Sequence, residues 1–267
     1  MEVAVVLSAR SIFQEIIEND DAFRLFCSIA AAGESQGGWE NGRIAALVPG
    51  SMSDLAPKIA RHGADEDKHG RIFNALLKKR GLEPVGVPPE CDYTMLLEQR
   101  GIGLSHEKLR GSAPLTERDV VVYLAHSRVT EQRAAEQMNT LVRYVGEQAG
   151  IGRAVRMICH DEDNHLAYCH EELLRLAAQG HARTIHAVLR ESALAEIRVY
   201  REVGLAVLGH MGRLLHWPKA KTSLLAAGAN GLHGYERLGG WHRMVSLSMP
   251  ERRNALGGPA PAAAEYA

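Results

Sequence analysis

The chain of 267 residues has few of the features that mark several large protein classes. It carries four cysteines, Cys27, Cys91, Cys159 and Cys169, and no CxxC pair among them, which excludes a rubredoxin-like or zinc-ribbon module. They read as reduced thiols, which sets the expected location as cytoplasmic. It lacks the run of about 18 apolar residues that a membrane helix requires, so no membrane partner is expected. The opening MEVAVVLSAR has an apolar stretch too short for a signal peptide and no basic leader. A surplus of positive charge is also missing. Lys and Arg number 31 against 32 Asp and Glu, for a net charge of -1, so nothing is left over to neutralise a phosphate backbone. Nucleic acid is therefore not an expected partner.

Aromatic content is 5%, while Ala, Leu, Glu and Arg are plentiful, and this balance favours helix over sheet. With 46% hydrophobic residues the chain has enough apolar material for a full core. Apolar residues recur at three- and four-residue spacing, with no alternating strand pattern, so the expected class is all-α. A first helix is expected from Asn19–Asp21, with a kink at Gly37-Gly38 and an end at Pro49-Gly50. A second starts near Ser51 or Ser53 and stops at Gly81, with Leu55, Ile59, His62, Glu66, His69, Phe73 and Leu76 on its inward face. Residues 81–115 read as a long crossover with one short helix near Tyr93–Gln99. A third helix opens at Thr116, and a fourth ends near Gly180. Further helices follow, one over 182–209, one from Thr222 and one in the segment 234–249. Two helix pairs joined by a crossover make one expected domain over 1–249, with a core at about 20–180 and added helices over 181–249. The stretch 250–267, ending PAPAAAEYA, is expected to be a flexible tail.

The chemistry lies in a repeated pattern. The only two Asp-Glu dipeptides, Asp65-Glu66 and Asp161-Glu162, are each followed by a histidine three residues after the Glu: His69 in DEDKH and His165 in DEDNH. No other Glu has a His at that spacing. With 13 His in the chain, one such match is about a one-in-twenty event and two are roughly one in four hundred. Residues i and i+3 share a helix face, so a carboxylate and an imidazole can reach one metal ion. Both motifs fall on apolar stripes, where a charged Glu beside a His is costly unless a metal compensates it. A dinuclear site then needs one more Glu from each partner helix. Glu34 lies 32 residues before Glu66, and Glu131 lies 31 before Glu162. Glu131 shares its face with Leu124, Ala135, Met138, Val142 and Val145. Glu136 sits on a face with Gln132, Asn139, Thr140 and Arg143 that reads as solvated, and Glu98 falls in the crossover.

The set Glu34, Glu66, His69, Glu131, Glu162 and His165 resembles the six-ligand pattern of the ferritin-like diiron-carboxylate superfamily, over residues of about 20–180. The resemblance implies a ferritin-like four-helix bundle. It also implies these six residues as metal-holding and catalytic, with Asp65 orienting His165 and Asp161 orienting His69. It implies two iron ions, with Mn/Fe also compatible, and O2 as co-substrate. The paired DExxH motifs are most similar to the oxygen-activating branch of desaturases, hydroxylases and aldehyde-deformylating oxygenases. The reaction so implied hydroxylates, desaturates or cleaves a small organic or carrier-bound substrate. No flavin or iron–sulfur motif is present, so a separate electron donor, a ferredoxin or flavin reductase, is expected. A homodimer is the default assembly. The alternative is a ferroxidase, iron-handling or peroxide-scavenging protein. Against a storage cage stand about 85 residues beyond Gly180, which would obstruct cage packing and can instead wall a pocket.

Other residues keep two readings at this stage. His62, one turn before Glu66, is a hydrogen-bonded core histidine, an extra ligand or a substrate contact. Cys169 reads as a small core residue. Tyr144, Tyr168 and Tyr200 are not distinguished from one another. His160 and His170 fall off the ligand face and are expected to be exposed. Small residues around Glu34 and after Glu131 suit either a cavity or close helix packing.

Overall fold

The computed structural model describes residues 8–148 and 150–247, and these form helices with no strand among them. In order they are α1 (Ala9–Glu18), α2 (Asp20–Leu47), α3 (Ala56–Lys78), α4 (Tyr93–Gln99) and α5 (His106–Arg110). Then come α6 (Glu117–Val145), α7 (Gly152–Leu176), α8 (Ala182–Leu214), α9 (Lys219–Tyr235) and α10 (His242–Val245). The expected tail 250–267 lies outside the described residues, as do residues 1–7 and 248–249 of the expected domain. Among the described residues no helix is long and apolar enough to cross a membrane.

Side chains at the helix starts explain where α2 and α6 begin. The Asn19 side chain accepts a hydrogen bond from the Ala22 N–H at 2.9 Å, and Asp20 and Asp21 follow in the first turn of α2. Thr116 and Asp119 form a reciprocal capping box at the start of α6. Two short helices were not anticipated. α1 is capped by Ser8 and Ser11, and α5 by Ser105. α3 begins at Ala56 rather than near Ser51, because Gly50–Leu55 wind as a tighter helical turn. Pro57 falls in the first turn of α3, where its missing N–H leaves no bond unmade.

The expected kink at Gly37-Gly38 is absent, and α2 runs straight through. Gly38 is there for packing. A Cβ on it would collide with the Asp67 carboxylate and lie 3.1 Å from the Gly63 carbonyl oxygen. Gly63 is confined in turn, 3.0 Å from the Asn41 Cβ, and a Cβ on Gly70 would meet Ser35 Oγ at 2.7 Å. Gly38 faces Gly63 while Ser35 faces Gly70, so α2 and α3 run antiparallel with their backbones in close approach.

α6 and α7 form the second antiparallel hairpin, with Ser127 opposite Cys169 and Val145 near Ile151. One apolar cluster unites the two hairpins through Phe23, Cys27, Phe73, Leu76, Met138, Val142, Ala154 and Ile158. Each large side chain of this kind stabilises the fold by about 1.5–3 kcal/mol on burial. A second cluster packs Ile185, Leu189, Ala193 and Ile197 of α8, with Met244 of α10, onto Val121, Leu124 and Leu173. The added helices thus share the core of the bundle. All four cysteines are buried free thiols.

Candidate dinuclear metal centre

Four helices converge their polar side chains on one buried point. α2 contributes Glu34, α3 contributes His62, Glu66 and His69, α6 contributes Glu131, and α7 contributes Glu162 and His165. On α3 the ligand face is the apolar one, because Leu55, Ile59, His62, Glu66, His69, Phe73 and Leu76 are each 8% exposed or less. The face of Glu131 is likewise buried, from Leu124 to Val145.

Two groups of donors result. In each, one donor atom per residue lies within 4.8 Å of every other. The first holds Glu34, Glu66, His69 and Glu162, and the second holds His62, Glu66, Glu131 and His165. Glu66 belongs to both. His69 Nδ1 lies 3.3 Å from Glu34 Oε2 and 3.4 Å from Glu162 Oε1. His165 Nδ1 lies 3.3 Å from Glu66, 3.6 Å from Glu131 and 3.9 Å from Glu162. All six sequence-predicted ligands are therefore brought together, and His62 joins them.

A ring of outer contacts fixes these donors. His69 Nε2 pairs with Asp161 Oδ2 at 3.1 Å, while His165 Nε2 stands 3.6 Å from Asp65 Oδ2, beyond hydrogen-bond reach. Lys68 was not singled out from sequence. It donates to Asp65 at 2.6 Å and lies 2.7 Å from Asp161, tying both aspartates across the hairpins. Its signal was its place between Glu66 and His69, but only the structure shows that its stem crosses to α7. Tyr168 is the tyrosine that the geometry selects. Its hydroxyl is 3.0 Å from His62 Nδ1 and 2.8 Å from the Tyr123 hydroxyl. Tyr144 instead stacks on Phe13, and Tyr200 lies under Arg133.

The electrostatics describe a cluster short of positive charge. Burial, followed by the charge of Glu66, pushes the Glu34 carboxyl well above its usual range. Glu162 is also raised, chiefly by burial, with Glu131, Glu66 and Glu34 adding to it. Burial acts the same way on Glu131, yet His62 and His165 outweigh it and bring that carboxyl down to about 2. Glu66 is lowered for the same reason, its burial overcome by His165 and His62. Four carboxylates this close cannot all be ionised without cations. Glu131 Oε2, Glu162 Oε2 and both ring nitrogens of His165 are buried without a hydrogen-bond partner. Buried polar atoms in that condition are rare and costly. Four carboxylates with imidazoles are a donor set suited to two divalent first-row metals, whose charge they balance. The residues fit a dinuclear ion pair.

A cavity of about 820 Å³ opens beside Glu34, Glu66, Glu131 and Glu162. Its walls are mostly apolar, with Phe26, Ile29 and Phe73 from the bundle and Ile197, Val203 and Val207 from α8. The small residues divide between the two readings, since Ala30, Gly33, Gly37 and Ala134 line the cavity while Gly38 serves close packing. Two sequence expectations are corrected. His170 is 4% exposed rather than solvated, and it packs near the buried Arg128, which donates to the Ser246 carbonyl. Glu136 accepts two hydrogen bonds from Arg243 and Gln132 is buried, so the C-terminal segment covers that end of the face, while Thr140 and Arg143 are exposed as read. Glu98 stays apart and accepts from the His106 N–H at 3.2 Å, and Cys169 is a core residue bonded to Ser127.

Compared with protein-family models, with curated proteins and with solved structures, the chain matches none of them.

Proposed function

We propose that this protein is a ferritin-like non-haem diiron oxidoreductase that uses O2 to oxidise an apolar organic or carrier-bound substrate. The observation that carries the reading is the convergence of four carboxylates and three imidazoles in the core, with orphaned donor atoms, against a large apolar cavity. Glu34, Glu66, His69 and Glu162 would hold one ion, and His165, Glu131 and Glu66 the other. Bound iron would supply the electrons and open positions that O2 activation needs. Asp161 and Lys68 keep the His69 ring in orientation, and Glu34, the ligand nearest solvent, faces the cavity. Phe26, Phe73 and Val203 give the cavity apolar walls, which suit an apolar substrate. Helices α8 and α9 wall the cavity, which supports an organic substrate over iron storage. With no electron-carrying cofactor motif in the sequence, reducing equivalents come from a separate reductase or ferredoxin.

The test is anaerobic Fe(II) loading of the full chain, followed by O2 exposure with absorbance and oxygen uptake recorded. About two irons per chain and a transient visible band are expected. Hundreds of irons per assembly would move the assignment to storage, and the lack of stoichiometric iron would overturn it.

A further inference from the structure

We propose that His62 is a seventh metal ligand and that it makes the two metal positions chemically unequal. The inference rests on the dinuclear reading above and extends it to a residue outside the six-ligand pattern.

Three observations carry it. First, His62 Nε2 points into the centre, 3.0 Å from Glu66 Oε1 and 3.3 Å from Glu131 Oε1. That same Glu66 oxygen is the one 3.3 Å from His165 Nδ1, so both imidazoles address one point. Second, the rings of His62 and His165 lie side by side with centroids 3.9 Å apart, one from each hairpin. Third, the far nitrogen of His62 is held by Tyr168 at 3.0 Å. An inward nitrogen with an outward nitrogen fixed by a hydrogen bond is the arrangement of ligating histidines. A histidine serving packing alone has no need to aim its ring nitrogen between two buried carboxylates.

The first position then offers one nitrogen and three carboxylates, and the second offers two nitrogens and two carboxylates. Imidazole favours later divalent metals, whereas carboxylate-rich positions suit manganese. The second position is therefore the tighter one for cobalt, iron or zinc, and it fills first. Within it His62 is the imidazole whose outer nitrogen is held, by the Tyr168 hydroxyl, whereas neither ring nitrogen of His165 has a hydrogen-bond partner.

The probe is Co(II), added anaerobically to the metal-free full chain and followed by ligand-field absorption and calorimetry. The native protein should bind two cobalts in separate phases with different spectra. His62→Ala should weaken the tighter phase by more than the roughly 10- to 100-fold that loss of an outer partner costs, and leave the other in place. Tyr168→Phe should weaken that same phase by less. X-ray absorption of the native protein at half loading gives a reading that no variant can confound, with an expected count of two imidazoles per cobalt. One imidazole per cobalt there, or an unchanged titration in a folded His62→Ala protein, would overturn the inference and leave the dinuclear site standing. Failure of the native protein to bind cobalt would overturn both.

Discussion

The two helix hairpins present the same Glu and DExxH residues in different surroundings. In α2–α3 the backbones approach through Gly38, Gly63 and Gly70, and Glu34 keeps 17% of its side chain exposed at the cavity. In α6–α7 there is no glycine within α6, the two helices meet at Ser127 and Cys169, and Glu131 is 9% exposed. The proton balance differs as well. Glu34 is pushed up by burial and by Glu66, whereas Glu131 is brought down because His62 and His165 outweigh its burial. A repeated motif thus sets the donor types, and the neighbouring side chains set which donor holds a proton and which faces the cavity.

The largest expected effect comes from carboxylates central to the cluster. Glu66→Ala or Glu162→Ala should abolish dinuclear metal binding, measured by metal analysis, while circular dichroism keeps most of the helix signal. Two metals per chain in either variant would break the ligand assignment. Next in size is the glycine seam. Gly63→Ala should destabilise the protein by about 1–3 kcal/mol in urea unfolding, because backbone atoms surround the added methyl. Ser127→Ala in the other hairpin loses only an acceptor for Cys169 and should cost less than about 1.5 kcal/mol. Equal losses would show that the two hairpins do not pack by different means.

The outer aspartates sharpen the comparison further. Asp161→Asn should weaken metal affinity roughly 10- to 100-fold in calorimetry, and Asp65→Asn by less, since Asp161 is bonded to His69 and Asp65 stands off from His165. The smallest effect lies at the helix starts. Burial alone would raise the Asp119 carboxyl, but Lys108 and Thr116 outweigh it and hold the group below its ordinary value near 3.8. A lowered folded value means stabilisation that is present above pH 3.8 and lost as the pH falls through the folded value. α2 begins with the neutral cap Asn19 instead. Hydrogen exchange below pH 3.8 should therefore loosen the start of α6 before that of α2, and Asp119→Asn should remove the difference.

The candidate ligands were legible because holding a metal would impose a spacing, and Glu66-x-x-His69 recurring as Glu162-x-x-His165 shows that spacing on apolar stripes. Glu34 followed from hairpin arithmetic about Pro49-Gly50, and Glu131 from a like separation of 31 residues before Glu162 together with its apolar face. Contacts that depend on how one helix rotates against another were not legible. Lys68 reads as a surface residue until its stem is seen to reach Asp161. Tyr168 could not be told from Tyr144 or Tyr200, because only helix packing brings its hydroxyl to His62. The burial of His170 and the pairing of Glu136 depend on the C-terminal segment, whose docking carries no local signature. α1 did have one, in the spacing of Ile12, Phe13, Ile16 and Ile17 behind Ser8.

The central claim is that two ions sit between the hairpins, and the most direct measurement is an anomalous-scattering map at the iron edge from crystals loaded anaerobically with Fe(II). The account predicts two peaks about 3.5–4 Å apart. One should lie among Glu34, Glu66, His69 and Glu162, and the other among His62, Glu66, Glu131 and His165. A single peak, peaks elsewhere, or no signal within this cluster would contradict it.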